Sequence, residues 1–125
     1  MDSKGIMQTE TRGDVLIVRF TAPAIGAAGD VQQLAVDLHA LIEQAKPAKL
    51  IIDFALVSFF SSQLLGLLVD IWRRLKDCGG RVVISGINPN LTRVFRITNL
   101  DKVFEFYPDP DSAVKAFARP DETNG

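Results

Sequence analysis

The chain has 125 residues, of which 47% are hydrophobic and 23% charged, with a net charge of −1; these proportions describe one globular domain whose core needs no covalent or metal staple. A single cysteine, Cys78, and a single histidine, His39, exclude an internal disulfide and a Cys- or His-rich metal site, and argue against a Ser-His-Asp triad. The balanced charge offers no field to attract nucleic acid or anionic lipid, no apolar run reaches the roughly 20 residues of a membrane helix, and MDSKGIMQTE lacks the basic and apolar regions of a signal peptide, so a cytoplasmic protein that neither binds nucleic acid nor inserts into membranes is expected.

Residues 1–5 and 119–125 are polar and read as disordered ends around a single domain over 6–118. Ile6–Thr11 and Val15–Phe20 read as strands, and Gly13-Asp14 between them as the tight turn of a hairpin. Thr21–Asp30 is a loop of small residues, with Asp30 expected to cap a helix from Val31 to about Ala45. Leu34, Leu38, Leu41 and Ile42 give that helix its apolar stripe, and Pro47 stops it. Lys49–Phe54 is a continuous apolar run, as in a strand buried on both faces. A helix should follow from Ser62 to Asp77, with Gly79 in the left-handed conformation after it. Arg81–Ser85 reads as a second central strand, Pro89–Ile97 as a short helix begun by proline, Phe104–Tyr107 as an edge strand, and Pro110–Ala118 as a final helix capped by Asp109. A hairpin followed by alternating strands and helices implies an α/β fold: a mostly parallel central sheet of about four or five strands flanked by about four helices.

Enzyme signatures are missing from this pattern. No phosphate-binding G-x-x-x-x-G-K-[ST] or G-x-G-x-x-G loop occurs, and no G-x-S-x-G elbow. Gly79-Gly80 falls between a helix and a strand and serves as cap and turn. His39 reads as a helix-surface residue without the partners a general base requires. Cys78 sits at a helix C-terminus beside Asp77, where the local negative charge disfavours a reactive thiolate. No catalytic residue, metal ligand or cofactor site is therefore expected, and a carrier or enzyme built on the glycines of Thr21–Asp30 has little to recommend it.

The informative stretch is Leu50 to Trp72, LIIDFALVSFFSSQLLGLLVDIW. Ser61 and Ser62 stand at the start of the helix, where one serine suffices as a cap. The second invites another reading. A helix N-terminus carries about half a positive charge and unpaired N–H groups, so a phosphate on Ser62 would be tolerated there while adding a charge of about −1.5 to −2. A partner docking on the bare hydroxyl would then be refused by the modified one. The residues LLGLLV at 64–69 are apolar almost all round and read as core, with Gly66 allowing close approach of a neighbour; Arg73, Arg74 and Lys76 read as a solvated face.

LIIDFALVSFFSS at 50–62, GGRVVISGINPNLTRVFRITNLDKVFEFYPD at 79–109 and the order of elements together resemble the STAS domain family, specifically the stand-alone anti-sigma factor antagonists (anti-anti-sigma factors). The resemblance implies a STAS-like fold and a bacterial signalling protein of transcription regulation. In that family the unmodified antagonist binds an anti-sigma factor that is also a serine kinase, so freeing the sigma factor; phosphorylation of a serine at a helix start releases the kinase, and a serine phosphatase resets the cycle. Carried onto this chain, the resemblance places the modified serine at Ser62, with Ser61 as second choice, matches Asp53 to a family acidic position, and gives Asp53, Ser58, Ser61, Ser62, Gln63 and Leu64 as partner-binding residues. The family often reads Asp-Ser-Ser-Gly where this chain has Ser61-Ser62-Gln63-Leu64. That departure leaves a second implication open: an unphosphorylated STAS scaffold subunit of a larger complex, such as a membrane transport assembly.

Overall fold

A computed structural model describes residues 6–46 and 48–118; the expected disordered ends and the helix-stopping Pro47 lie outside them. The elements are β1 (Met7–Arg12), β2 (Val15–Phe20), β3 (Ala24–Ile25), α1 (Ala28–Ala45), β4 (Lys49–Asp53), β5 (Phe59–Phe60), α2 (Ser62–Asp77), β6 (Arg81–Ser85), α3 (Pro89–Ile97), β7 (Glu105–Tyr107) and α4 (Pro110–Ala118), with a 3-10 turn over Leu100–Lys102. The main sheet runs β1-β2-β4-β6-β7. β1 is antiparallel to β2, from Met7↔Phe20 to Arg12↔Val15, across the two-residue turn Gly13-Asp14. The remaining neighbours are parallel. This is the expected α/β architecture with its N-terminal hairpin.

The apolar runs are continuous because both faces of the sheet are covered. Leu16, Val18 and Phe20, Leu50, Ile52 and Phe54, and Val82 and Ile84 share one face with the buried side chains of α1, α2 and α3. Val15, Ile17, Ile51 and Val83 share the other with Ala113 and Phe117 of α4. On the first face Phe95 is fully buried, and its ring meets those of Phe54, Phe60, Phe104 and Phe106 edge-on, with centroids 5.3 to 6.5 Å apart. Edge-to-face contact sets the positive rim of one ring against the negative face of the next.

The bounds of α2 and α3 coincide with those expected, the expected Asp109 cap is present, and α3 has an Asn88 cap that was not expected. The Asn88 side chain accepts from the Leu91 N–H at 3.1 Å at the start of α3, and Asp109 accepts from the Ser112 N–H at 2.7 Å at the start of α4. Six expectations need correction. β1 runs over Met7–Arg12 rather than Ile6–Thr11, and β4 ends at Asp53 rather than Phe54. α1 begins at Ala28 with Ala27 before it, so Asp30 is not the cap; it lies in the first turn, where a carboxylate still faces the positive helix end. β3 and β5 were not expected, since two-residue strands carry no readable period. β7 begins at Glu105, one residue late. Gly66 faces open space, so it permits no close approach.

α1 and α2 are joined at their polar margin. His39 Nε2 lies 2.7 Å from Asp70 Oδ2, and Arg74 Nε donates to the same oxygen at 3.0 Å. Arg74, and with it His39, holds the Asp70 carboxyl below its ordinary range despite partial burial. Because the folded value is depressed, the stabilisation is present at neutral pH and fades as pH falls through the folded pKa. Urea midpoints of wild type and Asp70→Asn should therefore differ at pH 7 and converge on acidification below about 3.9, the ordinary aspartate value. Phe95→Ala should cost about 3–5 kcal/mol of unfolding free energy, read from the same urea melts, since it empties the centre of the ring cluster.

Candidate functional site

The connection from β4 to α2 is held by backbone hydrogen bonds from both sides. The Phe54 N–H donates to the Ser85 carbonyl at 2.8 Å, and the Val57 N–H turns back on the Phe54 carbonyl at 3.0 Å. The Ser58 and Phe59 N–H groups both donate to the Pro23 carbonyl, at 2.7 and 3.1 Å, and the Ser61 N–H to the Ile25 carbonyl at 3.1 Å. These bonds make β5 run parallel to β3, with Ala24 opposite Phe59 and Ile25 opposite Phe60. From the third side, the Asn88 side chain donates to the Val57 carbonyl at 3.3 Å. The segment between strand and helix is therefore fixed on the loop before α1 and on the start of α3.

The two serines at the helix start have different environments. Ser61 is the residue before the first turn, in extended conformation, but its side chain makes no cap; its Oγ is enclosed and has no hydrogen-bond partner among the described residues. Its carbonyl instead accepts from the Leu64 N–H at 3.0 Å. Ser62, the first helical residue, is exposed, as is Gln63. The backbone N–H groups of a first helical turn have no intrahelical acceptor, so the Ser62 side chain stands at the positive end of a 16-residue helix. An enclosed hydroxyl gives a modifying enzyme no access, which separates Ser62 from Ser61.

The six residues expected at a partner surface do not lie together on it. Ser58, Ser62 and Gln63 are exposed and Ser61 is half-buried. Leu64 is fully buried in the core on the α1–α3 face, so it cannot touch a partner. Asp53 is 1% exposed and is also withdrawn from any partner. A buried carboxylate needs compensation, and it has two donors: Arg19 Nε at 2.9 Å and Ser85 Oγ at 2.9 Å. In register, Arg19, Asp53 and Ser85 lie side by side at the carboxyl ends of adjacent parallel strands. Gly86 follows with φ +68°, and a Cβ there would sit 2.6 Å from Asp53 Oδ1. Asp53 is thus a structural group that fixes the strand ends from which the β4–α2 connection departs.

Arg19, Ser85 and Gly86 went unnoticed in the sequence, as did the exposure of Leu56 (52%) and Phe59 (55%) in the segment before Ser62. A usable signal was present in Phe59-Phe60: in a strand, adjacent side chains point to opposite sides, so one ring of a surface pair must face out. Asp53→Ala should lower the unfolding free energy by about 2 kcal/mol, less than for a fully enclosed pair because Arg19 regains water, with Ser85 losing its acceptor. Chemical denaturation monitored by circular dichroism measures this.

The sequence profile of the STAS domain family matches residues 7–113. An anti-sigma-factor antagonist (STAS) domain protein from Planctomyces limnophilus superposes with a TM-score of 0.81 at 28% identity, over 90% of this chain and 97% of that one. The Bacillus cell fate determinant SpoIIAA in its phosphorylated form superposes with a TM-score of 0.71 at 20% identity, over 89% and 98%. A sulfate transporter family protein from Wolinella succinogenes gives 0.71 at 13% identity, over 86% and 87%. The last two share the fold, and the profile covers nearly all of the described residues. This chain belongs to the STAS domain family.

Proposed function

We propose that the chain is an anti-sigma factor antagonist, a binding protein of the cytoplasm whose unmodified form docks on an anti-sigma factor serine kinase and so frees a sigma factor. Phosphorylation of Ser62 ends the docking, and a serine phosphatase restores it. The observation that carries this reading is the position of Ser62: an exposed hydroxyl at the first turn of α2, on a segment that backbone bonds hold in place. A phosphate there meets free N–H donors and the positive helix end, so the fold accepts it. A partner that covers the site must strip that dianion of water, so docking does not accept it. Neighbouring structures of the same fold include an antagonist domain protein and a phosphorylated cell fate determinant, which supports the reading.

A second reading, an unphosphorylated scaffold subunit of a membrane transport assembly, is favoured by Gln63 and Leu64 in place of the family's second serine and glycine, and by the transporter-family neighbour. Among the described residues no helix is long and apolar enough to cross a membrane, so such a role would be that of a subunit docked on a transporter. Incubation with the kinase that co-purifies with the chain, and ATP, separates the two. The antagonist reading expects one phosphate on the peptide carrying Ser62; a chain that stays unmodified with its bound kinase favours the scaffold. Ser62→Ala should bind the kinase like the wild type and remain bound in ATP. Ser62→Asp should lose about 2–5 kcal/mol of binding free energy by titration calorimetry, and equal affinities for Ser62→Asp and wild type would remove the switch.

A further inference from the structure

We propose that Phe59 is the apolar anchor of the docking surface beside Ser62, and that this surface is uncharged, so that a negative charge on Ser62 opposes docking by its desolvation rather than by repulsion. The inference rests on the antagonist reading above, and its occupant is the anti-sigma factor kinase of that reading.

In a chain that is 23% charged, residues 21–29 and 54–69 contain no charged side chain at all. The β3–β5 pairing brings these two stretches side by side. Ile25 and Phe60 turn inward and are buried; Ala24 and Phe59, opposite each other across the pair, turn out. Phenylalanine belongs to the residues most often enclosed, yet Phe59 is 55% exposed. It is also held. Its N–H and that of Ser58 donate to the Pro23 carbonyl, and its ring lies over Gly26, where an added Cβ would be 3.0 Å from Cε2. A ring fixed before docking loses little conformational freedom on docking. Leu56, 52% exposed, belongs to the same segment, and Ser62 follows three residues after Phe59. Depletion of charge around an aromatic side chain is the composition of an interface centre. The partner surface that fits it is likewise apolar, with a recess for a phenyl ring.

The mechanism of refusal follows from the missing charges. Coulomb repulsion between exposed groups is screened as salt rises, with a screening length of about 10 Å at 0.1 M and about 3 Å at 1 M. The cost of removing water from an anion pressed against an uncharged surface is local and does not fall in this way.

Calorimetric titration of the whole chain against the purified kinase tests both parts. Phe59→Ala should bind about thirtyfold more weakly, as for an interface hot spot, with an unchanged melting temperature. Gly26→Val, which displaces the ring without removing it, should bind about tenfold more weakly. The affinity ratio of wild type to Ser62→Asp should change by less than about threefold between 0.1 and 1 M salt. Phe59→Ala binding like the wild type while Ser62→Asp is refused would overturn the anchor and leave the antagonist reading standing. Undiminished binding by both variants would overturn that reading itself. A ratio that shrinks by about tenfold or more in high salt would show repulsion and overturn the uncharged surface.

Discussion

Three backbone N–H groups, those of Ser58, Phe59 and Ser61, are anchored on the carbonyls of Pro23 and Ile25. Without them the half of the connection nearest α2, from Ser58 to Ser61, would be tied only through Val57, which Asn88 and the Phe54 carbonyl hold. With them Phe59 and Phe60 become one strand of a second, two-stranded sheet, and strand alternation turns the first ring out and the second in. Val57 and Phe60 face the core; Ser58 and Phe59 face water. The helix start then falls at a defined place, so that the Ser61 hydroxyl is enclosed and the Ser62 hydroxyl is open. The different exposure of two adjacent serines arises from this pairing and from no property of serine itself.

The same end of the sheet carries a buried polar group that fixes its register. Asp53 lies between Arg19 and Ser85 at the carboxyl ends of adjacent strands, and Gly86 leaves it room. An ion pair so placed is weak as a source of stability, because its desolvation offsets much of its attraction. Its role is geometric: Arg19 and Ser85 reach the same carboxylate only in the observed register. The connection leading to Ser62 starts immediately after it.

Much of the fold was legible because its signals are long or chemically specific. Val15–Val18, Leu50–Ile52 and Val82–Ile84 are unbroken apolar runs inside their strands, as expected where both faces are covered. Asn88-Pro89 and Asp109-Pro110 mark helix starts by side chains that do cap. The misreadings occur where the signal is short or ambiguous. β3 and β5 have two residues each and no period. Asp30 resembles a cap, but small residues before it let the helix begin earlier. Of the candidate site, the place of Ser62 at a helix start was legible from the apolar helix that follows it, whereas the burial of Asp53 and Leu64 was not. An acid at a strand end can face water or a buried arginine, and only the pairing of distant strands decides which.

The unequal covering of the two sheet faces has a consequence for synthesis. Three helices from the middle of the chain cover one face, whereas the other awaits Ala113 and Phe117, close to the C-terminal end of the described residues. As the polypeptide leaves the ribosome, the strands bearing Val15, Ile17, Ile51 and Val83 emerge well before the helix that shields them. Until then the nascent sheet presents a bare apolar side, the kind of transient surface that chaperones hold. Premature termination within the last few codons of α4 would leave that side open for good.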